Sequence, residues 1–243
     1  MKTFLCLVSL FFVLALPLYG QGPLYIGSAF EPPISRTDQA GIVDRIVRQA
    51  FHRIGKEALI THLPAERSLL TASQGINDGD LIRVEGLQSH YPDLVQVDEK
   101  LIDFEFVAFS KNSQINIDDW KDLSPYSVGI VRGWKILEEK AAHSFLRQVD
   151  SLELLFTLLE KGRADLVIYE RLAGTYAVRR MQIVDVYQTE EPLETQPMYL
   201  YLHRKHRGLV DSLVAALKEM KQDGTYQRII IDGLEALGVR VTL

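Results

Sequence analysis

The chain has 243 residues, 27 Lys and Arg against 32 Asp and Glu, and a formal net charge of −5. That length permits one large domain or two small ones. The mild acidity argues against nucleic acid as a partner, because phosphate binding draws on concentrated Lys and Arg. The single cysteine, Cys6, lies in the N-terminal apolar segment, so the remainder is expected to use neither disulfide nor thiolate chemistry.

Lys2 precedes an apolar run over 4–16, broken only by Ser9, then Pro17 and Leu18-Tyr19-Gly20. This is the layout of a secretory signal peptide. The run is too short to cross a bilayer, which needs about 20 residues. Cleavage is expected near Gly20, with export to a bacterial periplasm. The alternative is a buried N-terminal helix, although no cap opens the run and no polar face interrupts it.

A first strand is predicted over 24–27, followed by the rigid turn Phe30-Glu31-Pro32-Pro33. Ile42, Val43, Ile46, Val47, Ala50, Phe51 and Ile54 form one apolar face of a helix over 41–54, stopped by Gly55. A strand follows at 57–62. Pro64 opens a short helix with Leu69 and Leu70 expected inward, and a third strand is predicted over 80–84. An apolar strand over 103–109 ends at Lys111-Asn112-Ser113.

The pattern then restarts. Strands are predicted at 126–131, 145–149 and 165–169, with helices opened by Gly133 and capped by Ser151, and one running to about Arg180. Residues 198–202 are apolar again, and 207–237 read as helical with an interruption at Asp223-Gly224. Strands alternating with helices imply α/β layers with largely parallel pairing. Two such series imply two lobes. We expect a signal peptide at 1–20, one lobe from 21–110 and 197–243, a second from 111–196, and chain crossings near 109–112 and 186–198. A cleft between hinged lobes is the default ligand site.

Phe30-Glu31-Pro32-Pro33, Gly41-Ile42-Val43-Asp44, the V-G-x-x-x-G turn Val128-Gly129-Ile130-Val131-Arg132-Gly133, the G-R-x-D strand Gly162-Arg163-Ala164-Asp165 and the closing Asp223-Gly224-Thr225-Tyr226 occur in order along the chain. This set resembles the family 3 extracellular solute-binding proteins, the polar amino-acid binding components of ABC importers. The resemblance implies a two-lobed periplasmic-binding-protein type II architecture, two α/β lobes joined by a two-strand hinge. It implies a monomer that captures an amino acid or related small carboxylate, performs no chemistry, needs no cofactor and delivers its ligand to a membrane permease. Two departures stand out. Arg83-Val84-Glu85-Gly86-Leu87 replaces the family's T-x-E-R element, and Gly133-Trp134 replaces its Gly-Thr.

Six residues are candidates for binding. Arg83, at a strand end, offers a planar fork for a carboxylate, or bridges to a neighbour such as Glu85. Arg67 sits in a helix's first turn, where the dipole disfavours a cation, which points to a cleft role or to pairing with Glu66 or Asp80. Arg132 and Trp134 flank a strand-to-helix turn whose free N–H groups suit an anion; Trp134 either stacks on a ligand or packs between lobes. Glu170 either accepts from a ligand ammonium at a strand's carboxyl end or serves as a helix N-terminal charge. Phe30 either stacks on ligand or packs its turn. His203 and His206 lack an accompanying carboxylate cluster, so no metal site is expected. Two other functions stay open: a sensory module that reports occupancy to a membrane receptor, and an enzyme resembling periplasmic cyclohexadienyl dehydratases with Glu170 as its acid.

Overall fold

The computed structural model describes residues 22–236. The expected signal peptide and its cleavage point lie outside them. In chain order the elements are β1 (Leu24–Ser28), α1 (Ile42–Arg53), β2 (Ala58–His62), α2 (Ala65–Ser73), β3 (Gly79–Arg83), β4 (Leu94–Gln96), β5 (Ile102–Ser110), β6 (Ser127–Val131), α3 (Lys135–Lys140), β7 (Phe145–Val149), α4 (Leu152–Glu160), β8 (Leu166–Glu170), α5 (Arg171–Arg180), β9 (Tyr187–Gln188), β10 (Glu194–His203), α6 (Val210–Gln222) and α7 (Thr225–Glu235). No helix among the described residues is long and apolar enough to cross a membrane.

Two ladders share one long strand. In the first lobe β2, β1 and β3 run parallel, and the C-terminal half of β10 pairs antiparallel with β3 and β4. In the second, β7, β6 and β8 run parallel, and β5 pairs antiparallel with β8 and with the N-terminal half of β10. The switch falls inside β10: Met198 opposes Ile102 in one ladder, and Tyr199 opposes Arg83 in the other. The companion passage lies at 97–102, where Val97 N–H donates to the Leu200 carbonyl (2.9 Å) and Leu101 N–H to Met198 (2.8 Å). This moves the first crossing from the expected 109–112 to a point before β5. An apolar strand carries no mark of which neighbour it will join, and the ladder with β8 over 106–110 puts β5 in the second lobe.

Local signals explain most elements. The apolar face of α1 is buried from Ile42 to Phe51, each large side chain contributing about 1.5–3 kcal/mol. Its buried Asp44 accepts from Gly41 N–H (3.1 Å), Arg36 N–H (2.7 Å) and the Ser35 hydroxyl (2.6 Å), which pins the β1–α1 loop. Burial pushes the Asp44 pKa up despite these bonds. Ser151 caps α4 by accepting from Leu154 N–H (3.2 Å). The last helices pack on α1, with Arg45 reaching Asp232 (3.1 Å) and Arg53 reaching Asp223 (2.6 Å).

Helix α2 differs from expectation. Leu70 is 48 % exposed, and the buried positions are Ser68 and Ala72. Leu69 packs inward against the cluster of Ala72, Leu94 and Tyr201 as expected, and the Ser68 hydroxyl donates to the fully buried Asp80 (2.6 Å), a polar anchor where Leu70 was expected to supply an apolar one.

Candidate ligand site between the lobes

The site is built where the two lobes meet. The loop after β1 supplies Phe30 and Glu31 from the first lobe. Strand β5 supplies Phe104 and Phe106, which share a face because side chains alternate along a strand. The β6–α3 turn supplies Trp134, and the end of β8 supplies Tyr169 and Glu170. Phe109, on the opposite face of β5, packs into the second lobe against Phe156 instead.

Trp134 is the hub. Its ring lies 5.6 Å from Phe30, 5.4 Å from Phe106 and 5.5 Å from Tyr169 in edge contacts, and 6.0 Å from Phe104 at an interplanar angle of 26°. Phe30 and Phe104 meet edge-on at 5.3 Å. Offset and edge arrangements of this kind add about 0.5–1.5 kcal/mol per pair beyond area burial. The space enclosed by Phe30, Phe104, Trp134, Tyr169 and Glu170 admits no water-sized sphere. Beside it, a cavity of about 10 Å³ is lined by Glu31 and Pro32 from the first lobe and Leu152, Glu153, Tyr176 and Arg180 from the second. Ligand pockets run to about 300–1,000 Å³, so the lobes are closed on their own aromatic side chains.

The charges in this region are acidic. Glu170 is 4 % exposed, and its two carboxylate oxygens accept from Leu172 N–H (2.9 Å) and Ala173 N–H (2.7 Å), capping α5. Burial pushes its pKa up to about 7; those two hydrogen bonds and Arg171 oppose the rise, and Glu105 adds to it. Burial also raises Glu31, with Glu153 adding repulsion and Arg180 and His62 opposing. Tyr169 is raised by burial and then by Glu170. Arg180 pairs with Glu153 at 3.5 Å, and Arg171 with Glu105 at 2.6 Å.

Of the six expected binding residues, the fold brings Phe30, Trp134 and Glu170 together. The three arginines do not line this space. The Arg83 Nε is 2.6 Å from Asp80, and its guanidinium also donates to the Ala65 carbonyl (2.9 Å). A fully buried carboxylate demands a nearby cation, and the neighbour that Arg83 bridges to is Asp80 rather than Glu85. Arg132 is 61 % exposed and pairs with Asp150 at 3.0 Å on the surface of the second lobe. Arg67 is exposed on the first turn of α2. Sequence reasoning missed Glu31, Phe104, Phe106 and Tyr169. The same-face pair Phe104 and Phe106 was visible in the strand pattern, but nothing in that pattern says which lobe the face meets.

Two other polar groups are structural. The buried Ser35 hydroxyl donates to Asp44 and sits 2.9 Å from His62 Nε2. The acid here binds the serine, whereas in a nucleophilic triad it orients the histidine. His206 is 2.6 Å from Asp78, while His203 Nδ1 accepts from Lys205 N–H (3.3 Å). Among the described residues no group of three His, Cys, Asp or Glu converges on a metal position.

No protein-family model matches the chain. A relative from Shewanella oneidensis, an uncharacterized protein, is 26% identical over 203 residues, covering 74% of this chain and 76% of its own. Among solved structures, a histidine kinase sensor domain with similarity to periplasmic binding proteins superposes with a TM-score of 0.75 at 14% identity, covering 87% of this chain and 96% of that one. The GluR0 ligand-binding core in complex with L-glutamate gives 0.76 at 15% identity, covering 86% and 96%. The amino acid ABC transporter substrate-binding protein AbpA from Streptococcus pneumoniae, bound to L-arginine, gives 0.73 at 15% identity, covering 89% and 96%. Coverage this complete, with the β10 sheet switch and the paired passage at 97–102, leads to one structural conclusion: the chain has the two-lobed α/β fold of the periplasmic binding proteins.

Proposed function

We propose that this chain is an exported solute-binding protein that closes its two lobes on a small polar ligand. The observation that carries this reading is that Phe30 of one lobe meets Trp134 of the other across the hinge, with Glu170 buried beside them. A ligand touching both lobes favours the closed state through its differential affinity for closed over open. The role is binding rather than catalysis, in keeping with neighbours that are binding proteins bound to L-glutamate or L-arginine. Export to the periplasm follows from the N-terminal signal layout, and delivery to a membrane permease from the likeness to transporter binding proteins. The chain would act as a monomer.

The test is a thermal-shift screen of residues 21–243 against amino acids, dicarboxylates, amines and sugars. A ligand at 100 times its Kd stabilises the folded state by about 2.7 kcal/mol. A shift with one chemical class supports the reading; no shift with any class removes it.

A second reading, a sensory module that reports occupancy to a receptor, is favoured by the histidine kinase sensor domain among the neighbours. Deleting the gene separates the two: loss of ligand uptake indicates transport, and loss of a transcriptional response with uptake intact indicates sensing.

A further inference from the structure

The chemistry of the closed cleft names a ligand class, on the reading that the cleft binds a solute. We infer that it takes a small organic cation lacking a carboxylate, of the alkylammonium or quaternary ammonium type, held among the rings of Phe30, Trp134 and Tyr169 with Glu170 and Glu31 as counter-charges.

Three observations lead there. First, five aromatic side chains, Phe30, Phe104, Phe106, Trp134 and Tyr169, converge at one point. Aromatic faces carry the negative lobe of the ring quadrupole and attract a cation within about 6 Å, most strongly when it is desolvated. Second, the residues lining this space and the neighbouring cavity include the acids Glu170, Glu31 and Glu153, while the one lining cation among the described residues, Arg180, is paired with Glu153. Burial raises both Glu170 and Glu31, as expected of carboxylates short of positive charge, and an arriving cation supplies it. Third, among the described residues the arginines expected to anchor a carboxylate are placed elsewhere: Arg83 pairs with Asp80, Arg132 pairs with Asp150, and Arg67 is exposed on α2.

Entry follows from the fold. Phe30 belongs to the first lobe, and Trp134 and Tyr169 to the second, so opening at 97–102 and 198–199 parts the rings. Trp134 follows Gly133, whose φ of +92° forms a turn with open space around it. On closure without ligand the rings meet one another; with ligand, the cation sits between them.

The experiment follows the heat of binding by isothermal titration calorimetry of residues 21–243 during titration with tetramethylammonium, choline and putrescine chlorides, with potassium chloride at matched ionic strength, succinate, L-glutamate and L-arginine in parallel. A saturable heat with at least one ammonium probe, absent with potassium and succinate, is the expected result. Glu170→Gln and Trp134→Ala then weaken that probe by about tenfold or more, while Trp134→Phe keeps most of the affinity. A denaturation midpoint for each variant verifies folding, and Glu31→Gln replaces Glu170→Gln should the latter not fold. Binding of succinate or an amino acid with no response to the ammonium probes overturns the ligand class and leaves the solute-binding reading standing. No response to any of these probes or to the wider screen overturns both.

Discussion

The Trp134 indole stacks on Phe104 at 6.0 Å with 26° between the ring planes. The two residues come from different devices. Phe104 rides on β5, which pairs with β10 beside the hinge, and Trp134 sits at the head of α3 in the second lobe. Their contact ties the hinge strand to the turn that reaches across the cleft.

Replacing this indole therefore acts on stability as well as binding. Trp134→Ala removes four ring contacts and is expected to cost about 3 kcal/mol in urea denaturation. Trp134→Phe, which keeps a ring in place, is expected to cost about half as much.

Arg83 gives a different signature. Removing it takes the guanidinium from the fully buried Asp80, which keeps its bond from the Ser68 hydroxyl. Arg83→Ala is expected to destabilise by about 3 kcal/mol or more, since an uncompensated buried charge costs that much. The double variant Asp80→Asn with Arg83→Met should recover a large part of the loss. Equal denaturation midpoints for wild type and Arg83→Ala would contradict the assignment.

Arg132 is the control among the arginines. Its exposed pair with Asp150 is screened by water and salt. Arg132→Ala should leave the denaturation midpoint unchanged, and the thermal shift of any ligand found should also persist.

Glu170 makes stability depend on pH. Its folded pKa, about 7, lies above the 4.5 of the free side chain, so between those values the folded state holds a proton that the unfolded state has lost. Its contribution is full below about 4.5, declines as pH climbs through about 7, and amounts to roughly 3 kcal/mol. Glu31 and Asp44, also raised, act in the same direction. Midpoints measured from pH 5 to 8 should fall, and Glu170→Gln should flatten the slope.

The shared strand sets a steric limit. A Cβ on Gly79 would collide with the Tyr201 carbonyl of β10. Gly79→Ala is expected to cost about 1–3 kcal/mol, because the obstacle is backbone in a ladder that cannot yield without disturbing the sheet switch. A midpoint indistinguishable from wild type would show that β10 gives way freely there.

The amino-acid sequence by itself determined whatever depends on neighbours a few residues away. The apolar period of α1, the Ser151 cap and the break at Asp223-Gly224 each report local geometry and lie where the pattern put them, and strand β8 lies one residue later than predicted. The two-lobed α/β fold was legible from the order of these elements. Tertiary structure alone decided which residues share a surface. Period along a chain shows that one face of β5 is apolar, but not that Phe104 and Phe106 on that face meet Trp134. It shows an arginine at the end of β3, but not that Asp80, three residues earlier and buried, claims its guanidinium. Leu70 turned outward because Ser68 on the same helix found that same buried acid. Pairing choices of this kind depend on desolvation and on distances between segments far apart in the chain, and so they appear only once the lobes are closed.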